Sequence, residues 1–210
     1  WNYVSDNSEI NDDFGHGTHC AGVVCGDGTI GNTTGVAPDA TLMTLKIVNR
    51  AGGGSVTNMI KGVQFAVENG AQILSISLGY KIEQIGLAAK ESLRQTFVSA
   101  LDAGVIVCAA AGNDGATSGS LNNIDIPGAC PPPWLHEDQK VINEGGLSSV
   151  VCVGSVNSYN EHVTTSSEGP VTWQDVASYN DYPYDGTNTF GLIRPDISAP
   201  GELVYSLKYD

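Results

Sequence analysis

The chain has 210 residues, of which 41% are hydrophobic and 15% are charged, and its formal net charge is −14. A surface this acidic repels nucleic acids and anionic membranes, so we expect neither as a partner. No apolar run reaches the length of a membrane span, and the length and composition predict one globular domain over residues 1–210.

Five cysteines occur, and the odd count leaves at least one thiol unpaired. Four of them lie in apolar segments, where a free cysteine behaves as a small hydrophobic residue. Cys130, beside three prolines, is predicted to lie in a loop. No spacing typical of a metal site is present, so we predict no metal ligands, and the redox compartment stays open.

The segment from Asp13 to Gly22 predicts a loop that enters a helix, with His16 at the entrance. Imidazole is the side chain best suited to moving protons near neutral pH, so His16 is a candidate catalytic residue. A lone histidine is more often structural, and the catalytic interpretation therefore depends on the rest of the chain.

Strands and helices alternate along the chain. The predicted elements, in order, are a strand at 41–48, a helix from a Ser55 cap to Glu68 with Gly70 after it, a strand at 73–78, a helix at 86–103, and strands at 105–110 and 150–154. Strands that are almost continuously apolar are typical of a parallel sheet with helices on both faces. The carboxyl ends of such strands meet at one edge, where α/β proteins bind their ligands.

Five motifs occur in order over most of the chain. They are Gly15-His16-Gly17-Thr18-His19, Gly35-Val36-Ala37-Pro38, Ser75-Ile76-Ser77-Leu78-Gly79, Ala110-Ala111-Gly112-Asn113 and Pro195-Asp196-Ile197-Ser198-Ala199-Pro200-Gly201. Together they resemble the subtilisin-like serine proteases (subtilases, peptidase family S8). The resemblance implies a three-layer α/β fold with a mostly parallel sheet flanked by helices.

The resemblance also implies roles for particular residues. His16 matches the general base and Asn113 matches the oxyanion-hole donor, and both are expected to face one cleft. Pro127 matches a position where the peptide bond is cis. Two segments match those that pair with the substrate main chain, namely Gly52, Gly53 and Gly54, and Ser77, Leu78 and Gly79. A third segment matches the wall of a roomy apolar pocket for the residue before the scissile bond, and it consists of Ala110, Ala111 and Gly112.

Two members of the family's catalytic triad have no counterpart in these residues. Asp12 and Asp13 match no triad aspartate, and no Gly-Thr-Ser-Met-Ala motif with the nucleophilic serine occurs before Asp210. We therefore expect a central portion of a serine endopeptidase, incomplete at both ends and inactive in isolation. The alternative is a non-catalytic relative that binds a peptide or a partner protein in the same cleft.

Further expectations concern ligands, assembly and location. No cofactor is certain, and a structural calcium ion is the open alternative in the loop at 26–35, where some relatives hold one. This loop offers only Asp27 and Asn32 as side-chain oxygens, which are few for calcium. Core surface left exposed in such a portion predicts self-association. We expect a secreted or cell-surface protein that acts on peptides or proteins, with a cytoplasmic location as the alternative because the cysteine count is odd.

Overall fold

A computed structural model describes residues 1–29, 34–115, 123–132, 148–173 and 192–208. The helices are α1 (His16–Cys25), α2 (Val56–Glu68) and α3 (Leu87–Asp102), and a short 3₁₀ turn spans Ile82–Gln84. The strands are β1 (Ile73–Ile76), β2 (Ile106–Ala110), β3 (Val151–Val156) and β4 (Ile197–Pro200). These elements fall into two compact units, one formed by Trp1–Ala71 with Leu203–Asp210 and the other by Gln72–Glu202.

In the first unit, α2 begins and ends as its sequence predicts. The Ser55 hydroxyl oxygen accepts a hydrogen bond from the Asn58 N–H at 3.1 Å, which satisfies a free amide at the start of the helix. Gly70 follows the helix with a φ of +81°, a conformation that glycine adopts without steric penalty. Met59, Val63 and Ala66 form the buried face of this helix.

Helix α1 packs against the chain segment that follows Leu203. The Ser206 hydroxyl donates to the His19 carbonyl at 2.6 Å. Gly22 is buried, and a Cβ at this position would collide with Ser206 and Leu207. The small side chains of α1 therefore allow close packing on this side of the helix.

The second unit contains a four-stranded sheet in the order β1-β2-β3-β4, and every pair is parallel. The register pairs Ile76 with Ala109 and Ala110 with Val153. Leu93 and Phe97 of α3 are fully buried, as are Val107 and Ala109 of β2. This arrangement confirms the predicted α/β class with a parallel sheet and flanking helices.

The strand from Ile197 to Pro200 was not predicted, although the segment was expected to return to the core. Arg194 and Asp196 anchor it. The buried Arg194 guanidinium pairs with the Asp196 carboxylate and donates to the Cys130 carbonyl at 3.0 Å. The other Asp196 oxygen accepts from the Cys152 N–H at 2.7 Å, so the approach to β4 is tied to β3.

One local expectation is wrong. Residues 41–48 form no strand, because they pair only at isolated bridges, including one that joins Lys46 to Asn2. Cys130 lies in an irregular segment, as predicted, but it is completely buried. Burial raises the pKa of its thiol to about 12. All five cysteines are free thiols.

Part of the sheet surface remains open. Ile73 and Ile106, which are register partners at the amino ends of β1 and β2, are 65% and 55% exposed. Self-association through such surface stays a prediction. Within the described ranges, no helix has the combination of length and apolar character that crossing a membrane requires.

Candidate active site

The residues predicted to form the site are found on both compact units, and we describe each set by itself. His16 is the first residue of α1 and is half-buried. Cys20 follows it by one helical turn, and its Sγ lies 3.7 Å from the Nε2 of His16. The start of a helix, where the chain bends out of a loop, thus presents the predicted base as the sequence indicated.

Asp12 fixes the backbone that leads to His16. Its Oδ1 accepts hydrogen bonds from the N–H groups of Phe14 (3.0 Å) and Gly15 (2.7 Å), and its Oδ2 accepts from the N–H (2.8 Å) and hydroxyl (2.7 Å) of Thr18. Partial burial opposes ionisation, but these four donors prevail and hold the pKa of Asp12 well below its ordinary value. The sequence position of Asp12 indicates no such role, because the N-cap residue of α1 is Gly15 and Asp12 lies three residues before it.

Gly52, Gly53 and Gly54 lie in the same unit as His16 and are exposed. The Asn49 side chain accepts from the N–H of Gly53 at 3.1 Å, and the Gly53 carbonyl accepts from the N–H of Asn49 at 2.8 Å. A Cβ built on Gly52 would lie 3.6 Å from the ring of Phe14, two residues before His16. The loop before α1 and this glycine segment are therefore neighbours.

The second set lies at the carboxyl edge of the sheet. Ser77, Leu78 and Gly79 follow β1, while Ala110 ends β2 and is followed by Ala111, Gly112 and Asn113. Because β1 and β2 are paired in parallel, the structure brings these two segments to the same edge, as predicted. Asn113 is exposed there, next to Gly112 with its φ of +116°. The expectation that His16 and Asn113 face one cleft stays a prediction.

A third segment, 124–127, lies between these two. Ile126 and Tyr80 exchange backbone hydrogen bonds at 2.8 and 2.9 Å, and the Asp125 N–H donates to the Ala111 carbonyl at 2.8 Å. The Ile126–Pro127 peptide bond is cis, as the resemblance implied. Main-chain contacts on both sides thus hold Asp125 between the two predicted substrate-binding segments.

The Asp125 carboxyl occupies space that side chains at the neighbouring glycines would need. A Cβ on Gly79 would lie 2.6 Å from the Asp125 Cβ, and a Cβ on Gly112 would lie 2.9 Å from its Oδ2. Burial raises the pKa of Asp125 to about 6, and the nearby Asp114 adds to this effect. A titratable acid therefore lies against walls that the sequence led us to expect to be apolar.

Lys81 is a cation in this neighbourhood, and it is paired. Its Nζ lies 2.8 Å from Oδ1 of Asp114, and this contact raises the pKa of Lys81. Asp114 in turn accepts through its carbonyl from the Asn123 amide, and its N–H donates to the hydroxyl of Ser167. The two acids and one base leave this part of the site with an excess of negative charge.

The calcium expectation stays a prediction, because residues 30–33 of the 26–35 loop lie outside the described part. The Asp27 carboxylate in that loop accepts from the N–H and hydroxyl of Thr29, at 3.0 and 2.8 Å. Among the described residues, no group of three or more His, Cys, Asp or Glu side chains is placed to hold a metal ion.

The parallel sheet and its flanking helices define a subtilisin-like α/β protein. Sphericase superposes with a TM-score of 0.65 at 25% identity, covering 97% of this chain and 58% of that structure. A cold-adapted subtilisin-like serine proteinase superposes with the same TM-score at 22% identity, covering 100% of this chain and 57% of that structure.

Sequence comparison identifies the family. The Subtilase family profile, Peptidase_S8, matches residues 1–210, so the chain belongs to the subtilase family. It is 32% identical to subtilisin DY of Bacillus licheniformis over 213 residues, which is 97% of this chain and 68% of that protein. It is 31% identical to the serine protease AprX of Bacillus subtilis over 214 residues, or 98% of this chain and 42% of that protein. Most of these relatives and solved structures are much longer than this chain, which spans about half of their length.

Proposed function

We propose that the whole protein to which this chain belongs is a serine endopeptidase. His16 is its general acid and base, and Asn113 donates a hydrogen bond to the oxyanion. The observation that carries the proposal is the family match over residues 1–210, in which His16 begins α1 and Asn113 follows β2. The proposal requires a nucleophilic serine and a triad aspartate in addition, and neither is matched within residues 1–210.

The proposed reaction is acyl transfer. The serine oxygen adds to the carbonyl carbon of the scissile bond while its proton passes to His16, and the side-chain amide of Asn113 stabilises the negative oxygen that forms. His16 then gives the proton to the leaving nitrogen as the C–N bond breaks. A water molecule, deprotonated by His16, hydrolyses the acyl-enzyme ester and regenerates the serine.

The substrate is proposed to bind through its main chain. The segments Gly52–Gly54 and Ser77–Gly79 are proposed to pair with an extended peptide as an added strand. The N–H and carbonyl of Gly53 are already bonded to Asn49, so the peptide would use other main-chain groups of the two segments. Affinity of this kind is largely independent of sequence, and selectivity then depends on the pockets that receive individual side chains. The segment Ala110–Gly112 is proposed to wall one of them.

The second candidate is a non-catalytic subtilase relative that binds a peptide or a partner protein through the same residues. The family match over residues 1–210 is compatible with it as well, because a family member can keep the fold without the chemistry. Under either candidate, the polypeptide 1–210 by itself is proposed to be inactive. A secreted or cell-surface location remains our proposal for the whole protein.

Purified whole protein tests these candidates with fluorogenic peptides and a fluorophosphonate probe. The enzyme proposal predicts turnover and covalent labelling, both lost in His16→Ala. His162→Ala is the matched control, because His162 is exposed and contacts Glu168 outside the site. Peptide binding without turnover or labelling would favour the non-catalytic relative, and a folded protein that does neither would refute both.

A further inference from the structure

We propose that Asp125 selects substrates with a positively charged side chain, arginine or lysine, at the residue before the scissile bond. This inference rests on the proposed function, because it concerns the pocket walled by Ala110–Gly112. It goes beyond that function by naming the substrate class and the residue that chooses it.

The position of the carboxyl supports the assignment. Backbone hydrogen bonds to Ala111 and Tyr80 hold 125–126 between the two predicted substrate-binding segments. The Asp125 side chain is directed at Gly79 on one side and at Gly112 on the other, where virtual Cβ atoms would meet its Cβ and its Oδ2 at 2.6 and 2.9 Å. A substrate side chain that enters between these walls therefore meets a carboxyl group.

The hydrogen bonding of this carboxyl is incomplete. Among the described residues, its Oδ1 is buried and has no hydrogen-bond partner, although the residue as a whole is only half-buried. Buried polar atoms in proteins are nearly always paired, so an orphan oxygen calls for a donor from elsewhere. An ammonium or a guanidinium supplies such donors together with the opposite charge.

The surrounding charges favour a cation over other ligands. Asp114 and Glu83 act on Asp125 as negative charges and Lys81 acts on it as a positive one, but the Nζ of Lys81 is itself paired with Asp114 at 2.8 Å. An acidic substrate side chain would meet like charges, and an apolar one would leave Oδ1 desolvated and unpaired. A lysine or arginine side chain brings the opposite charge to this half-buried carboxyl, together with hydrogen-bond donors for its accessible part.

The pKa of about 6 that burial produces is compatible with this role. Near pH 7.5 most of the carboxyl is ionised, and a bound cation stabilises the ionised form further. Without substrate, Asp125 therefore carries a negative charge that burial destabilises. A lysine or arginine side chain of the substrate neutralises this charge.

The test compares peptides that differ only in the residue before the scissile bond, which is Arg, Lys, Phe or Glu. Wild-type whole protein should give a higher kcat/KM for Arg and Lys than for Phe, and the lowest for Glu. In Asp125→Asn, which keeps the shape and removes the charge, the Arg-to-Phe ratio should fall by roughly 100-fold, since one partner of a partly buried charge pair is lost. The exposed Asp39→Asn is the matched control and should keep the wild-type ratio.

A ratio measured within one preparation does not depend on the fraction of folded protein, and Asp125→Ser provides a second variant without the charge. A Phe preference in the wild type, or an Arg-to-Phe ratio that both Asp125 variants leave unchanged, would overturn the inference while the protease assignment stands. Failure to cleave any of the peptides would instead count against the proposed function.

Discussion

Thr18 donates both its backbone N–H and its hydroxyl to one oxygen of Asp12, at 2.8 and 2.7 Å. The residue at the N-cap of α1 is Gly15, which has no side chain to accept from the free amides of the first turn. Asp12, three residues before Gly15, accepts hydrogen bonds from these amides instead. The same carboxylate also bonds the loop that precedes His16 and so fixes its conformation. It is a positioning residue rather than a catalytic one.

Replacing Asp12 with Asn should weaken the start of α1. The amide keeps one acceptor oxygen but loses the charge that strengthens all four hydrogen bonds, so we expect a loss of about 1 kcal/mol in the free energy of unfolding at pH 7. In the whole protein, kcat should fall more than KM changes, because His16 is displaced. Urea denaturation and steady-state kinetics measure the two effects.

The pH dependence of the same variant provides a sharper check. Because the pKa of Asp12 is lowered on folding, its contribution to stability is present above its unfolded pKa of about 3.9 and is lost as the pH falls through the folded value. The stability difference between wild type and Asp12→Asn should therefore shrink below pH 4. A stability difference between wild type and Asp12→Asn that stays constant down to pH 2.5 would contradict a stabilising role of the ionised Asp12. An equal loss of stability in the exposed control Asp39→Asn would contradict it as well.

Asn113 offers a test of transition-state stabilisation. Its side chain is exposed, so Asn113→Ala should leave the folding stability nearly unchanged. If it is the oxyanion donor, kcat should fall by about 10²–10³-fold with little change in KM, which is the magnitude measured when such a donor is removed from a subtilisin. Asn113→Asp, which has nearly the same shape, should not restore kcat. A loss confined to KM would assign Asn113 to substrate binding instead.

Gly112 should tolerate no side chain. Its φ of +116° disfavours any L-residue, and a Cβ would lie 2.7 Å from the Ser167 hydroxyl and 2.9 Å from Asp125 Oδ2. We expect Gly112→Ala to destabilise the protein by about 2–3 kcal/mol, as measured by chemical denaturation. Gly70→Ala has a positive φ but open space, and should lose only about 1 kcal/mol. Equal losses in the two variants would show that the contacts at Gly112 contribute nothing.

Asp125 should make stability fall as the pH rises. Its folded pKa of about 6 lies above the unfolded value of about 3.9, so between these values the folded state binds more protons and ionisation destabilises it. At pH 7.5, Asp125→Asn should be more stable than wild type by about 1 kcal/mol, a figure that allows for solvent screening of a half-buried group. The gain should disappear near pH 4. A variant that is less stable at both pH values would contradict this.

Ionisation of Asp125, which lowers the stability, should raise the selectivity for positively charged substrates. As the pH rises through about 6, Asp125 ionises and the preference for Arg over Phe before the scissile bond should increase. The ratio of the two kcat/KM values, measured between pH 5 and 8, tests this, because effects of pH that are common to both substrates cancel in the ratio. A ratio that does not change with pH would argue against a charge on Asp125.

Local sequence signals predicted much of the fold. The Ser55 cap and Gly70 marked both ends of α2, and apolar runs marked β1, β2 and β3. Strand β4 was not predicted, because Ile-Ser-Ala-Pro is short and only weakly apolar, and its place depends on the Arg194–Asp196 pair and on β3. The strand expected at 41–48 has the right composition but lacks a continuous partner.

In the candidate site, too, residues marked by local motifs were predicted and residues whose role depends on distant partners were not. His16, Asn113 and the glycine segments were each identified from a short motif whose own residues are adjacent in the sequence. Asp125 was not identified, because its importance arises from Gly79 and Gly112, which are 46 and 13 positions away in the sequence. Asp12 was assigned no role, since its sequence position matches no triad aspartate and its hydrogen bonds are visible only in the folded loop.

Asp125 is held in place by main-chain hydrogen bonds of its segment, through its own N–H and through Ile126. These hydrogen bonds do not involve the side chain at 125, so the attachment of the segment and the proposed choice of substrate depend on different atoms. On the proposed selectivity, a single substitution at this position would redirect the protein to another class of peptide while these main-chain hydrogen bonds stay as they are.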